Sequence, residues 1–187
     1  MDILLLKIVR NLSVYTSRLS YDNYRGLACL ESKELLDRTN IQWDDHIHLL
    51  VKICLLKESE HDALVELIGI LSNIMYWKDL KNNWTMIINQ YSFLDFLKKF
   101  LVLGMCERDL LLEIIILVGE MCDNESSSLI SGSGLIEAID QQWYTEVDDE
   151  ISLQILTTYF QFLIFPSTRK SLFCLQSKLM LTLTSFK

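Results

Sequence analysis

His46 and His48, preceded by Asp44 and Asp45, are the residues of this chain most suggestive of a metal site. Zinc needs ligands that converge on one point. On a helix, side chains two residues apart point about 200° away from each other, so these imidazoles diverge. The surrounding pattern is not that of a strand, and the stretch reads as a polar helix start. His61-Asp62 has the composition of an acid–base pair, but an Asp beside a helix start is explained by capping. Ser131-Gly132-Ser133-Gly134 has the small residues of a phosphate-cradling loop. It lacks the Lys-Ser/Thr that must follow and comes after no strand, so a helix–helix corner is expected. No Ser stands in a recognisable nucleophile motif with His and an acid. Glu113 and Glu120, seven apart, would lie about 10 Å apart on one helix face. That spacing suits paired carboxylates, but a solvated face accounts for it equally well. No catalytic, metal or cofactor residue is expected, and the chain reads as non-enzymatic.

Cys29, Cys54, Cys106, Cys122 and Cys174 are odd in number and widely spaced. A disulfide framework is therefore not expected, and core thiols in a reducing compartment fit better. The 17 Lys and Arg stand against 25 Asp and Glu, a formal charge of −8. Such a chain repels phosphate backbones, which disfavours nucleic acid and anionic membrane surfaces and favours basic partners. The start, Met1 to Lys7, lacks the basic region of a signal peptide. The longest apolar approach, Leu110 to Val118, is crossed by Glu113 and is too short to insert in a membrane. A cytoplasmic location is expected, and the N-x-S/T triplets at Asn11, Asn83 and Asn124 then carry no glycan.

Half of the residues are hydrophobic, yet only six Gly and one Pro punctuate the chain. Disorder is excluded by the apolar content, and small all-β folds by the lack of turn residues about every 10 positions. An all-α protein remains. Four strongly apolar segments begin with acidic or polar residues: Asp2–Leu19, His61–Tyr76, Glu107–Asn124 and Asp149–Phe165. In the third, Leu110, Ile114, Leu117, Val118 and Met121 form one stripe, with Leu111, Ile115 and Cys122 beside it. Two stripes leave a narrow third face, so the helix is buried on most sides.

That third face repeats. It carries Asp62, Glu66, Gly69 and Asn73, then Asp109, Glu113, Ile116 and Glu120, then Glu150, Gln154, Thr157 and Gln161. Asn73 to Glu120 spans 47 residues and Glu120 to Gln161 spans 41, within the period of armadillo and HEAT arrays. Shorter pieces at Asn83–Gln90 and Phe93–Leu103, with Gly104 near a C-cap, precede the third long helix. Asn124–Ser131 and Gly134–Tyr144 precede the fourth. The order short, medium, long favours armadillo over two-helix units. The expected fold is an armadillo-like right-handed α-solenoid in a single region, 1–187. It holds a partial repeat at 1–20, an irregular one at 21–82, repeats at 83–124 and 125–165, and a partial one at 166–187. Tyr21–Glu60 should hold an extra helix or long loop. Ser167–Phe173 and Ser177–Phe186 should form two closing pieces.

Armadillo arrays often place Asn on the long helix, facing a groove where its amide binds a partner's extended backbone. Asn11 and Asn73 fit that position, and Glu120 and Gln161 replace it in the other repeats, so no regular Asn ladder exists. The expected partner groove comprises Asn11, Asp62, Glu66, Asn73, Asp109, Glu113, Glu120, Glu150, Gln154 and Gln161. Its carboxylates should attract a basic segment. Neither end reads as a polar cap, and Leu4, Leu5, Ile8 and Leu12 have no preceding helix to cover them. Self-association through such ends is expected.

The ordered corner and polar residues carry a resemblance. Lys7-Ile8-Val9-Arg10-Asn11-Leu12-Ser13 is similar to the long-helix signature of kinesin-associated protein, the non-motor accessory subunit of heterotrimeric kinesin-II. Glu66 to Ile74 resembles the following repeat, and Trp84 to Tyr91 with Asp109 to Gly119 the next. Ser133 to Ile136, Asp148 to Glu150, Gln154-Ile155, Phe160-Gln161 and Thr168-Arg169 continue in the same order. The likeness covers Leu5–Leu172 and is closest over Ala63–Arg169, while Tyr21–Glu60 and Ser177–Lys187 depart from it. It looks like a shortened chain covering the C-terminal part of the family's array.

The resemblance implies a scaffold that binds the tails of kinesin-II motor subunits. It would link them to cargo adaptors in intraflagellar transport, at microtubules and cilia, without covalent chemistry. The competing reading is an armadillo or HEAT scaffold unrelated to motors.

Overall fold

The computed structural model describes residues 2–11, 43–75, 84–102, 105–145 and 148–185. Among them every regular element is a helix and none is a strand. Two compact units divide the chain, Met1–Asn82 and Asn83–Lys187. Leu12, Gly104 and residues 21–42 of the irregular stretch lie outside the described residues.

The first unit contains α1 (3–11), α2 (Trp43–Leu56) and α3 (His61–Met75). The helix at Trp43–Leu56 occupies part of the stretch for which the sequence pattern left an extra helix or a loop. At the corner that follows it, the Lys57 amide bonds the Ile53 carbonyl at 3.0 Å and the Glu60 carbonyl receives Leu64 N–H at 3.0 Å. A Lys57–Glu60 ion pair at 2.6 Å spans the turn. The core is Ile47, Val51 and Cys54 against Leu64, Leu67, Ile68 and Leu71. Ten of the fifteen residues of α3 are buried, as its two apolar stripes require.

The second unit contains α4 (Trp84–Tyr91), α5 (Phe93–Phe100), α6 (Arg108–Glu120), α7 (Ser127–Ser133), α8 (Leu135–Thr145), α9 (Asp149–Ile164) and α10 (Pro166–Ser185). Ser92 turns the corner between α4 and α5 at φ 48°. Phe93 stacks on Phe96 at 5.8 Å and Phe96 meets Phe100 edge-on at 5.2 Å, which lines the buried side of α5. In this unit α6 and α9 pack closely side by side. Thr158 donates from its hydroxyl to the Ile115 carbonyl at 3.2 Å. A Cβ added to Gly119 would lie 3.1 Å from the same hydroxyl, so the glycine sets how near the two helices come. Their first turns are also joined, through Arg108 and Asp148, so the two run in the same direction.

Polar side chains fix the rest of the unit. Gln142 of α8 donates to the Leu101 carbonyl at 2.6 Å, and Tyr159 of α9 donates to Asp140 at 2.7 Å. Asp123 receives Glu125 N–H at 2.8 Å and Ser126 N–H at 2.6 Å, which ends the chain's run from α6 and starts α7. Buried Thr168 donates to the Phe162 carbonyl at 2.7 Å and secures the α9–α10 corner.

Two boundaries differ from the sequence pattern. The small-residue run is not a four-residue corner: α7 continues through Ser133, and Gly134 alone turns, at φ 79°. Lys98 donates to the Ser133 carbonyl at 2.9 Å, placing a cation at the end of α7 where orphan carbonyls point. The closing segment is one helix, Pro166–Ser185, rather than two pieces. Pro at its first position suits a helix start, and no Gly or Pro follows to interrupt it.

Candidate partner-binding surface

The residues of the third stripe divide between the units and meet different fates. In the first unit Asn11 and Asp62 are exposed, Asn73 is half-buried and Glu66 is buried. Arg10 of α1 reaches Glu66 of α3, Nη1 to Oε2, at 3.4 Å. Its guanidinium lies over Gly69, where an added Cβ would meet Nε at 2.6 Å. Part of the stripe on α3 is therefore covered by an arginine and does not line an open groove. The sequence reading passed over Arg10. The signal for it was a glycine inside a helix, three residues from a carboxylate, which marks a close approach.

In the second unit Asp109 and Glu150 are exposed, Glu120, Gln154 and Gln161 are half-buried, and Glu113 is buried. A uniformly solvated face is therefore not what the fold makes: both central carboxylates, Glu66 and Glu113, are inside. The two apolar stripes are wide enough that the packed neighbours reach across the third. A lysine placed at Glu113 would test folding before it tested binding.

Arg108 gathers the outer acids. It makes a two-pronged bond to Asp148, at 2.6 and 3.2 Å, approaches Asp109 at 3.2 Å and pairs with Glu150. Asp148 also caps α9, receiving Glu150 N–H at 2.9 Å and Ile151 N–H at 3.2 Å. The Arg108 bond, followed by those amides, holds the Asp148 carboxyl down at about 2. The bonds to Asp148 and then to Glu150 raise the guanidinium's own pKa. The expected acidic field is thus weakened where Asp109 and Glu150 meet this cation.

Three of the thiols are wholly or partly packed away. Burial pushes the Cys54 and Cys122 thiols up to about 12 and that of Cys106 to about 11. Thiolate, the reactive form, is scarce at such sites. His46 is exposed and His48 half-buried on α2, two residues apart. Among the described residues no three His, Cys, Asp or Glu side chains are grouped to hold a metal ion, and no described helix is long and apolar enough to cross a membrane.

One helix of the second unit carries an exposed apolar face. On α9, Ile151, Ile155, Thr158 and Phe162 face inward, while Leu153, Leu156, Phe160, Leu163 and Ile164 are exposed. Phe160 keeps 70% of its surface in solvent and Leu153 65%. Sequence reasoning attended to polar residues and missed this stripe. Its spacing of 3, 4 and 3 residues along Leu153, Leu156, Phe160 and Leu163 was available. In the first unit Leu4, Leu5 and Ile8 of α1 are exposed as well.

The family profile of kinesin-associated protein (KAP) matches residues 1–180. No solved structure matches the chain.

Proposed function

The chain belongs to the kinesin-associated protein family, and from that membership we propose that it is a non-enzymatic adaptor of heterotrimeric kinesin-II. It binds the tails of the motor subunits and links them to cargo adaptors in microtubule-based, intraflagellar transport. The work is done in the cytoplasm, at microtubules and cilia, by surface complementarity. The match over residues 1–180 carries this reading. The parallel stacking of α6 on α9 supports armadillo-type repeats in the second unit, because successive long helices of such arrays pack side by side.

Two kinds of surface serve the role. One is acidic and is carried by each unit separately, through Asp62 in the first and through Asp109 and Glu120 in the second, which remain exposed or half-buried and favour a basic segment. The other is apolar, on α9 and α1. Through Leu4, Leu5 and Ile8 the isolated chain self-associates unless a partner covers them. Replacing Leu5 and Ile8 by Lys should then shift sedimentation toward monomer. Capture of the tagged chain from ciliated cells, read by mass spectrometry, tests the adaptor role. Kinesin-II heavy chains should be recovered together with cargo proteins, and their absence beside unrelated scaffold partners would overturn it.

A further inference from the structure

We propose that the outer face of α9 is the seat for one amphipathic helix of a partner protein, lying antiparallel to α9. This deepens the adaptor reading above and rests on it. The face is a continuous apolar stripe: Leu153, Leu156, Phe160, Leu163 and Ile164 share one side of the helix, opposite the buried Ile151, Ile155 and Phe162. Side chains at such spacings adjoin on a helix surface and match the apolar anchors of a second helix.

The fold already uses the corresponding face once. Ile115 and Gly119 of α6 receive Thr158 of α9. Forty-one residues further on, Leu156 and Phe160 hold the same places on α9 and are exposed. One difference shapes the visitor. Where α6 has a glycine, α9 has an exposed phenylalanine, so the incoming helix must offer a small residue opposite the ring. An aromatic seated in that way is the usual anchor of a helix–groove contact.

Charge sets the direction. Asp149 and Glu150 are exposed in the first turn of α9, and Glu150 is already held by Arg108. At the far end Arg169 lies 3.5 Å from the Leu163 carbonyl, with Lys170 beside it in sequence, and both are exposed. The stripe therefore runs from an acidic to a basic end. Helices favour acids in their first turn and bases in their last. A parallel visitor would bring its acidic start against Asp149. Within the fold that conflict is avoided because α6 begins with Arg108, whereas the equivalent place on α9 is Asp149 itself. An antiparallel visitor meets both ends with opposite charge, and its dipole opposes that of α9.

The test uses the whole chain and two synthetic helical peptides, with no motor subunit present. Both peptides carry leucines at three- and four-residue spacing and an alanine placed to receive Phe160. One has Glu in its first turn and Lys in its last; the other has Glu in both, and so mismatches one end of the stripe whichever way it lies. The first should bind more tightly by about three- to fivefold, and Asp149→Lys should reverse the order. Phe160→Glu, at an exposed position, should weaken both by about tenfold or more while leaving the helical circular dichroism unchanged. Equal binding of the two peptides, or indifference to Phe160→Glu, would overturn the proposal. So would self-association that Phe160→Glu abolishes, because the occupant would then be a second copy. Motor capture from cells fails or succeeds independently of these titrations, so the two readings fall separately.

Discussion

Gly69 of α3 leaves the space that the Arg10 guanidinium fills on its way to Glu66. A Cβ there would come within 2.6 Å of Nε and 2.7 Å of Cζ. Alanine at this position gains about 0.5–1 kcal/mol of helix propensity. It also displaces the cation from a buried carboxylate, a loss of about 1–3 kcal/mol. Gly69→Ala should therefore be neutral or destabilising in the natural chain, and stabilising once Arg10→Met has removed the guanidinium. Urea midpoints of the four chains check this, and an equal effect in both backgrounds would deny the coupling.

The α6–α9 contact has less room to adjust. Gly119 faces the Thr158 backbone, with Cα 3.6 Å from an added Cβ, and backbone does not swing aside as an arginine does. Gly119→Val should cost about 2 kcal/mol or more by forcing the helices apart. The urea midpoint should fall, and native hydrogen exchange at Ile115 and Thr158 should quicken.

Gly134 tests the corner after α7. Its φ of 79° is costly for other residues, and a Cβ there would sit 2.5 Å from Lys98 Nζ. Gly134→Ala should lose about 1–2 kcal/mol, part of it through release of Lys98 from the Ser133 carbonyl. Lys98→Met should lose about 0.5–1 kcal/mol.

Asp148 contributes stability that depends on pH. Its carboxyl, ordinarily near 3.8, is held at about 2 by Arg108 and two amides. A depressed folded-state pKa means that the contribution is complete above about pH 4 and disappears as pH falls toward 2. Asp148→Asn keeps a good N-cap but removes the charge. Denaturation midpoints of the variant should change less between pH 4 and 2 than those of the natural chain, and parallel curves would contradict the assignment.

The helices were legible wherever apolar residues recur at three and four, since burial enforces that period. Thus α3, α6 and α9 fall inside the segments read from sequence. The end of α7 was misplaced because two glycines in one run look alike, although only Gly134 takes a left-handed conformation. The split of α10 was misread because a weak apolar pattern imitates a break, whereas an uninterrupted backbone simply continues. The polar stripe was found as a pattern but not as an environment. Whether Glu66 lies in water or under Arg10 depends on a contact 56 residues away, which periodicity does not encode. For α9 the converse holds: the spacing of Leu153, Leu156, Phe160 and Leu163 marks a stripe, but exposed and buried leucines are the same letter.

As a kinesin-II adaptor the chain must bind the motor tails directly. Purified chain and recombinant tail segments of the motor subunits, mixed and analysed by sedimentation velocity, address it without other cellular proteins. A faster-moving complex of defined stoichiometry is expected, together with loss of any self-association through α1. Independent sedimentation of chain and tails, at concentrations where each is folded, would contradict it.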